Sequence, residues 1–199
     1  YGKPSASGGN LYGKKGETAA SLTINGGTFY CTKGIFAAGR GTDSYYHDNP
    51  YSGTASDYTA LGKTYGNVEL NISGGAFHCP IFGGGYGVAD SKLYQANTIS
   101  TLTDMARLYG QSYVNIYGGT FYQNIFGGGD MAGVEYDGDG MATNLVIGDK
   151  ADIRGSIFAG GNGRKKRIDT GKDDQAVNIA DDTRKPELVG KVIGSTSVF

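Results

Sequence analysis

The stretch Glu69–Gly85 reads ELNISGGAFHCPIFGGG and returns with small changes at Ser21–Gly39 (SLTINGGTFYCTKGIFAAG) and Val114–Gly129 (VNIYGGTFYQNIFGGG). A looser copy spans Leu145–Gly161, LVIGDKADIRGSIFAGG. The shared grammar is apolar-x-Ile, a Gly-Gly corner, Phe, a few variable residues, Ile-Phe and a glycine run. Alternation at Leu22/Ile24, Leu70/Ile72 and Val114/Ile116 is the period-2 signature of a strand with one buried face. Gly26-Gly27, Gly74-Gly75 and Gly118-Gly119 suit a tight bend where a residue bearing a Cβ is strained. A second strand carries Phe29, Phe77 or Phe121, and a third carries the Ile-Phe pair.

Repetition at fixed offsets is the mark of a solenoid. The expected fold is therefore all-β: a right-handed parallel β-helix of about five coils, with residues 1–199 forming a single segment of a longer array. Stacking in register, with coils about 4.8 Å apart, puts Ile24, Ile72 and Ile116 in one column and Phe36, Phe82, Phe126 and Phe158 in another. An antiparallel sandwich of hairpins is the alternative, since Gly-rich corners serve hairpins too. The ends fit a cut array: Tyr1-Gly2 matches Tyr86-Gly87, and Ser197-Val198-Phe199 matches Ser156-Ile157-Phe158.

Long excursions at 42–67, 86–113, 130–144 and 162–176 each follow the glycine run and are expected on one side. Seven of the 8 Phe lie in the repeat blocks, whereas most of the 15 Tyr lie in or beside the excursions, so Phe is expected inside and Tyr outside. Leu102, Met105 and Leu108, ahead of Gly110, predict one short helix lying on the solenoid.

Composition narrows the function. Gly supplies 36 of 199 residues without an every-third-residue period, which excludes collagen. A net charge of −1 gives no reason to expect nucleic acid as a partner, and no apolar run nears the roughly 18 residues of a membrane span, so no membrane insertion is expected. The single basic run, Gly163-Arg-Lys-Lys-Arg167, is followed at once by Asp169, Asp173 and Asp174 and largely neutralises itself.

The blocks NGGTFYCTKGIFAAG, SGGAFHCPIFGGG and YGGTFYQNIFGGG resemble the repeats of large, Gly-rich, adhesin-like surface proteins of gut bacteria and archaea. That resemblance implies a pectate-lyase-like right-handed β-helix and an extracellular, cell-surface location. It transfers no catalytic residue.

Candidate sites follow from strand alternation and composition. With Phe29, Phe77 and Phe121 inward, Tyr30, His78 and Tyr122 face outward as a stacked aromatic ladder able to pack on a sugar or another protein, or simply to cover the sheet. Tyr45, Tyr46, Tyr58 and Tyr94 in the excursions extend the candidate ligand-binding face. Cys31 and Cys79 share one offset, so adjacent rungs bring them within disulfide range; a bond would close a 48-residue loop, and a pair of reduced thiols is the alternative. Asp130, Glu135, Asp137 and Asp139 offer hard oxygens for calcium, although the loop lacks the terminal Glu of a calcium hand. Asp149, Lys150, Asp152 and Arg154 are the one ionisable cluster on an expected strand, and on them rests the enzyme alternative, a polysaccharide lyase or glycoside hydrolase. The favoured expectation is a structural or adhesive module that binds glycan or another surface protein, or associates end to end with further copies.

Overall fold

The computed structural model describes residues 9–41, 62–87, 105–163 and 192–199, and among them the chain is all-β with no helix. The first repeat contributes β1 (Leu11–Tyr12), β2 (Thr18–Ile24), β3 (Thr28–Phe29) and β4 (Ile35–Phe36). The second contributes β5 (Thr64–Tyr65), β6 (Asn67–Ile72), β7 (Ala76–Phe77) and β8 (Ile81–Phe82). In the third and fourth the middle strands fuse: β9 (Leu108–Tyr109), β10 (Ser112–Phe121) and β11 (Ile125–Phe126), then β12 (Val134–Glu135), β13 (Met141–Ile153) and β14 (Ile157–Phe158). A fifth supplies β15 (Val192–Ile193) and β16 (Ser195–Val198).

These strands form three sheets in which every pairing is parallel: β1-β5-β9-β12-β15, β16-β13-β10-β6-β2 with β3 and β7 alongside, and β14-β11-β8-β4. Register runs repeat on repeat. Ile24 faces Ile72, which faces Ile116, which faces Ile147. Parallel pairing throughout excludes the hairpin sandwich for the described residues. The Gly-Gly corner bends the middle sheet, and Gly27, Gly75 and Gly119 take φ of +110°, +123° and +113°, a region costly for any residue with a Cβ.

The core lies where β2, β6, β10 and β13 meet the flanking strands. Leu70, Ile72, Val114, Ile116, Phe77 and Phe121 are fully buried there, joined by Ile81 and Ile125 from the third sheet and Leu108 and Val134 from the first. One polar chain is sealed in beside it. Gln111 donates its backbone N–H to Asn67 Oδ1 (2.9 Å), and its side-chain amide donates to the Met141 carbonyl (3.0 Å). Outside, the Asn115 amide donates to Asn71 Oδ1 at 2.8 Å, a rung-to-rung bond between like residues.

Several expectations need correction. The apolar-x-Ile and Phe strands belong to one bent sheet, and the remaining sheet is built from short strands, β5, β9 and β12 inside the supposed excursions and β1 and β15 outside them. The 130–144 segment therefore carries β12 and the first four residues of β13. Met105 and Ala106 form a turn, with Ala106 at φ +54°, and Leu108 enters β9, so the described end of the expected helix is not helical; residues 101–104 lie outside the described ones. Phe36, Phe82, Phe126 and Phe158 do stack, with centroids 4.8–4.9 Å apart, but the neighbouring Ile column points into the core cluster and the Phe column turns to the opposite face. Tyr86, expected outside, is buried against Phe36. Val198 pairs with Leu145, so Ser197-Val198-Phe199 continues the middle sheet instead of repeating Ser156-Ile157-Phe158. Tyr1-Gly2 lies outside the described residues.

Candidate functional site

Strand alternation fixes the outward ladder. Phe29, Phe77, Phe121 and Ile153 face the core, so the next residue in each repeat faces out: Tyr30, His78, Tyr122 and Arg154. The Tyr30 and His78 rings stack at 4.4 Å, His78 and Tyr122 at 4.2 Å, and the Arg154 guanidinium lies 4.7 Å from the Tyr122 centroid. Because each ring is covered by the next, only the outer face of Tyr30, 73% exposed, is open to stacking by a sugar. The rest of the ladder presents ring edges. Arg154 also donates from Nε and Nη2 to Asp152 Oδ2 (3.0 and 2.8 Å), and that carboxylate raises the guanidinium pKa. Two of the four ionisable groups proposed for catalysis thus satisfy each other at the top of the ladder.

One position further on stand Cys31 and Cys79, and both are free thiols, the reduced pair of the two alternatives. Cys79 is buried and Cys31 exposed, the latter because it belongs to the outermost repeat. Burial pushes the Cys79 thiol up to about 11, and hydrogen bonding and charge repulsion from Cys31 also act on it.

A second aromatic column was missed. Tyr12, Tyr65 and Tyr109 stack at 5.3 and 4.9 Å along the first sheet. The signal was legible as a triplet, Leu11-Tyr-Gly13, Thr64-Tyr-Gly66 and Leu108-Tyr-Gly110, with Val192-Ile-Gly194 closing the series. Beside this column runs a cleft of about 330 Å³ whose walls include Tyr65, Tyr109 and Tyr136. Its charges are paired already: Lys15 with Asp137 and Arg107 with Glu135, each at 2.8 Å. The Lys15–Asp137 contact lowers the Asp137 pKa and raises that of Lys15.

The carboxylates considered for calcium therefore face different partners. Glu135 takes Arg107, Asp137 takes Lys15, and Asp130 accepts the Asn162 amide at 2.9 Å. Asp139 receives the Tyr136 hydroxyl on its backbone carbonyl. No cluster of three or more His, Cys, Asp or Glu able to hold a metal occurs among the described residues. Tyr45, Tyr46, Tyr58 and Tyr94, and all of the basic run but Gly163, lie outside the described residues. No protein-family model, curated protein or solved structure matches the chain.

Proposed function

We propose that this chain is a segment of a longer right-handed parallel β-helix that serves as a structural and adhesive module of a microbial surface protein, outside the cell, holding glycan or another surface protein. The observation that carries the reading is the rung-on-rung register of like residues across three parallel sheets. A stack of this kind resists bending because each repeat buries its neighbours' apolar faces. It also displays whatever faces outward at regular spacing of about 4.8 Å. Exposed Leu11, Tyr12 and Leu22 at one edge, with Ile193, Val198 and Phe199 at the other, support end-to-end association with further copies or coils.

The lyase or hydrolase reading draws on Asp149 to Arg154, where Asp152 and Arg154 are spent on each other and on Tyr122. Nothing in that geometry favours it over the adhesive one. The test is to incubate the chain with a panel of plant, host and bacterial polysaccharides and follow capture alongside release of new reducing ends and unsaturated products. Capture without turnover is expected. Product release overturns the adhesive reading.

A further inference from the structure

The two cysteines of the chain, Cys31 and Cys79, occupy one offset in the first and second repeats, where the third has Gln123 and the fourth Gly155. Phe29 pairs with Phe77, and the His78 N–H donates to the Phe29 carbonyl at 2.9 Å, so the chain delivers the two cysteines to adjacent rungs. A rung spacing of about 4.8 Å falls inside the roughly 4.4–6.8 Å between Cα atoms that a disulfide spans. In-register parallel neighbours hold their Cβ atoms as far apart as their Cα atoms, whereas a disulfide wants about 3.8 Å, so one strand has to give. The first repeat has the slack. Thr32, Lys33 and Gly34 stand between Cys31 and Ile35, where the second repeat has Pro80 alone between Cys79 and Ile81, yet pairing resumes at Ile35 and Ile81. Gly34, at φ +128°, returns this longer loop to the rung. The two thiols also differ in access: Cys31 is exposed, while Cys79 is 2% exposed and lies within hydrogen-bonding reach of the Cys31 backbone and thiol.

We propose that Cys31 is a site of thiol–disulfide exchange with a small external disulfide, and that Cys79 resolves the adduct into an internal bond that fastens the outermost repeat to the stack. The inference rests on strand register and access, and stands apart from the glycan reading. In the first step the Cys31 thiolate attacks one sulfur of the external disulfide R–S–S–R; the Cys31–S–S–R bond forms and RS⁻ leaves. In the second the Cys79 sulfur, its proton passing to the departing RS⁻, attacks Cys31 Sγ and expels the other R group as a thiol. Two protein thiols are oxidised and the external disulfide is reduced to two thiols. Burial sets the order, because it shuts Cys79 off from a bulky reagent and keeps that thiol protonated, while Cys31 stands in solvent. The bond acts where the stack is weakest. The first repeat is packed from one side only, with Leu22 40% exposed against 0% for Leu70, and is the one expected to lift away first.

The experiment equilibrates the full chain in glutathione buffers from fully reduced to fully oxidised, alkylates the remaining thiols, maps them by mass spectrometry and follows backbone amide exchange. Wild type should lose both thiols and yield a linked Cys31–Cys79 peptide. Cys79→Ala should accumulate glutathione on Cys31, and Cys31→Ala, a change at an exposed position, should keep Cys79 unmodified. On oxidation the Ala76 and His78 amides, which donate to Gly27 and Phe29 of the first repeat, should exchange roughly tenfold more slowly or better, while Thr120 and Tyr122, bonded to Gly75 and Phe77 one repeat deeper, stay as they were. Free thiols at the oxidising end, a lasting glutathione adduct on wild-type Cys31, or a bond between two chains overturns the pairing. Modification of Cys79 in Cys31→Ala overturns the entry role of Cys31. A bond that forms without slowing Ala76 and His78 overturns the fastening.

Discussion

Phe82 and Phe158 occupy the same column and the same turn of the repeat grammar, yet the first is 1% exposed and the second 44%. Leu70 and Leu22 repeat the contrast at 0% and 40%. Identical residues in identical local sequence differ in burial because burial here is conferred by the repeat above and the repeat below. Stability should accordingly behave as a sum of neighbour terms, large for interior repeats and small at the edges.

The largest test is the Phe column. Phe82→Ala should cost about 3–5 kcal/mol by chemical denaturation, the range for an aromatic deleted from a packed site, and Phe158→Ala well under half of that. Equal losses break the comparison. Next, Leu70→Ala is expected to cost about 2–5 kcal/mol against a much smaller loss for Leu22→Ala, measured the same way. Gly83→Ala drives a Cβ into the Ser112 hydroxyl and the Gly127 carbonyl oxygen of the next repeat, so it should destabilise by roughly 1–3 kcal/mol even though it adds only a methyl. A stable Gly83→Ala variant would show that neighbouring repeats are free to spread apart.

A smaller effect is pH-dependent. The Cys79 thiol is neutral in the fold up to about 11, while in the unfolded chain it ionises near the ordinary thiol value. Between those two values the unfolded chain has released a proton that the folded one keeps, so stability falls as pH rises. Melting followed from pH 8 to 11 should decline more steeply in wild type than in Cys79→Ala; parallel curves would place no titration at this interior position. The smallest effect belongs to Asp137→Asn, since the Lys15–Asp137 pair joins two fully exposed groups and its melting temperature should stay that of wild type.

Much of this architecture was legible because Ile24, Ile72 and Ile116, or Phe29, Phe77 and Phe121, recur at one offset, and repetition is a stronger signal than propensity. The sheet built from β5, β9, β12 and β15 was not, because a two-residue strand such as Leu108-Tyr109 shows no period to count. The same weakness made Leu102, Met105 and Leu108 look helical. An Ile-Phe pair cannot announce which member turns inward, as both are apolar, and packing chose Ile. At the candidate site, alternation correctly turned Tyr30, His78 and Tyr122 outward. What it could not convey is that rings at this spacing cover one another. Lys33, Gln123 and Asp130 are far apart in sequence and line one cleft only once the repeats are stacked, a grouping that no local pattern announces.

The sealed contact between Gln111 and Asn67 has an effect on assembly order. Most columns are chemically alike from one repeat to the next, so a slip by one rung would leave Ile on Ile and Phe on Phe at little penalty. Such a slip strands these two amides in an apolar interior, at about 1–3 kcal/mol for each group left without a partner. One polar pair thereby tells two otherwise interchangeable segments of chain which neighbour is theirs.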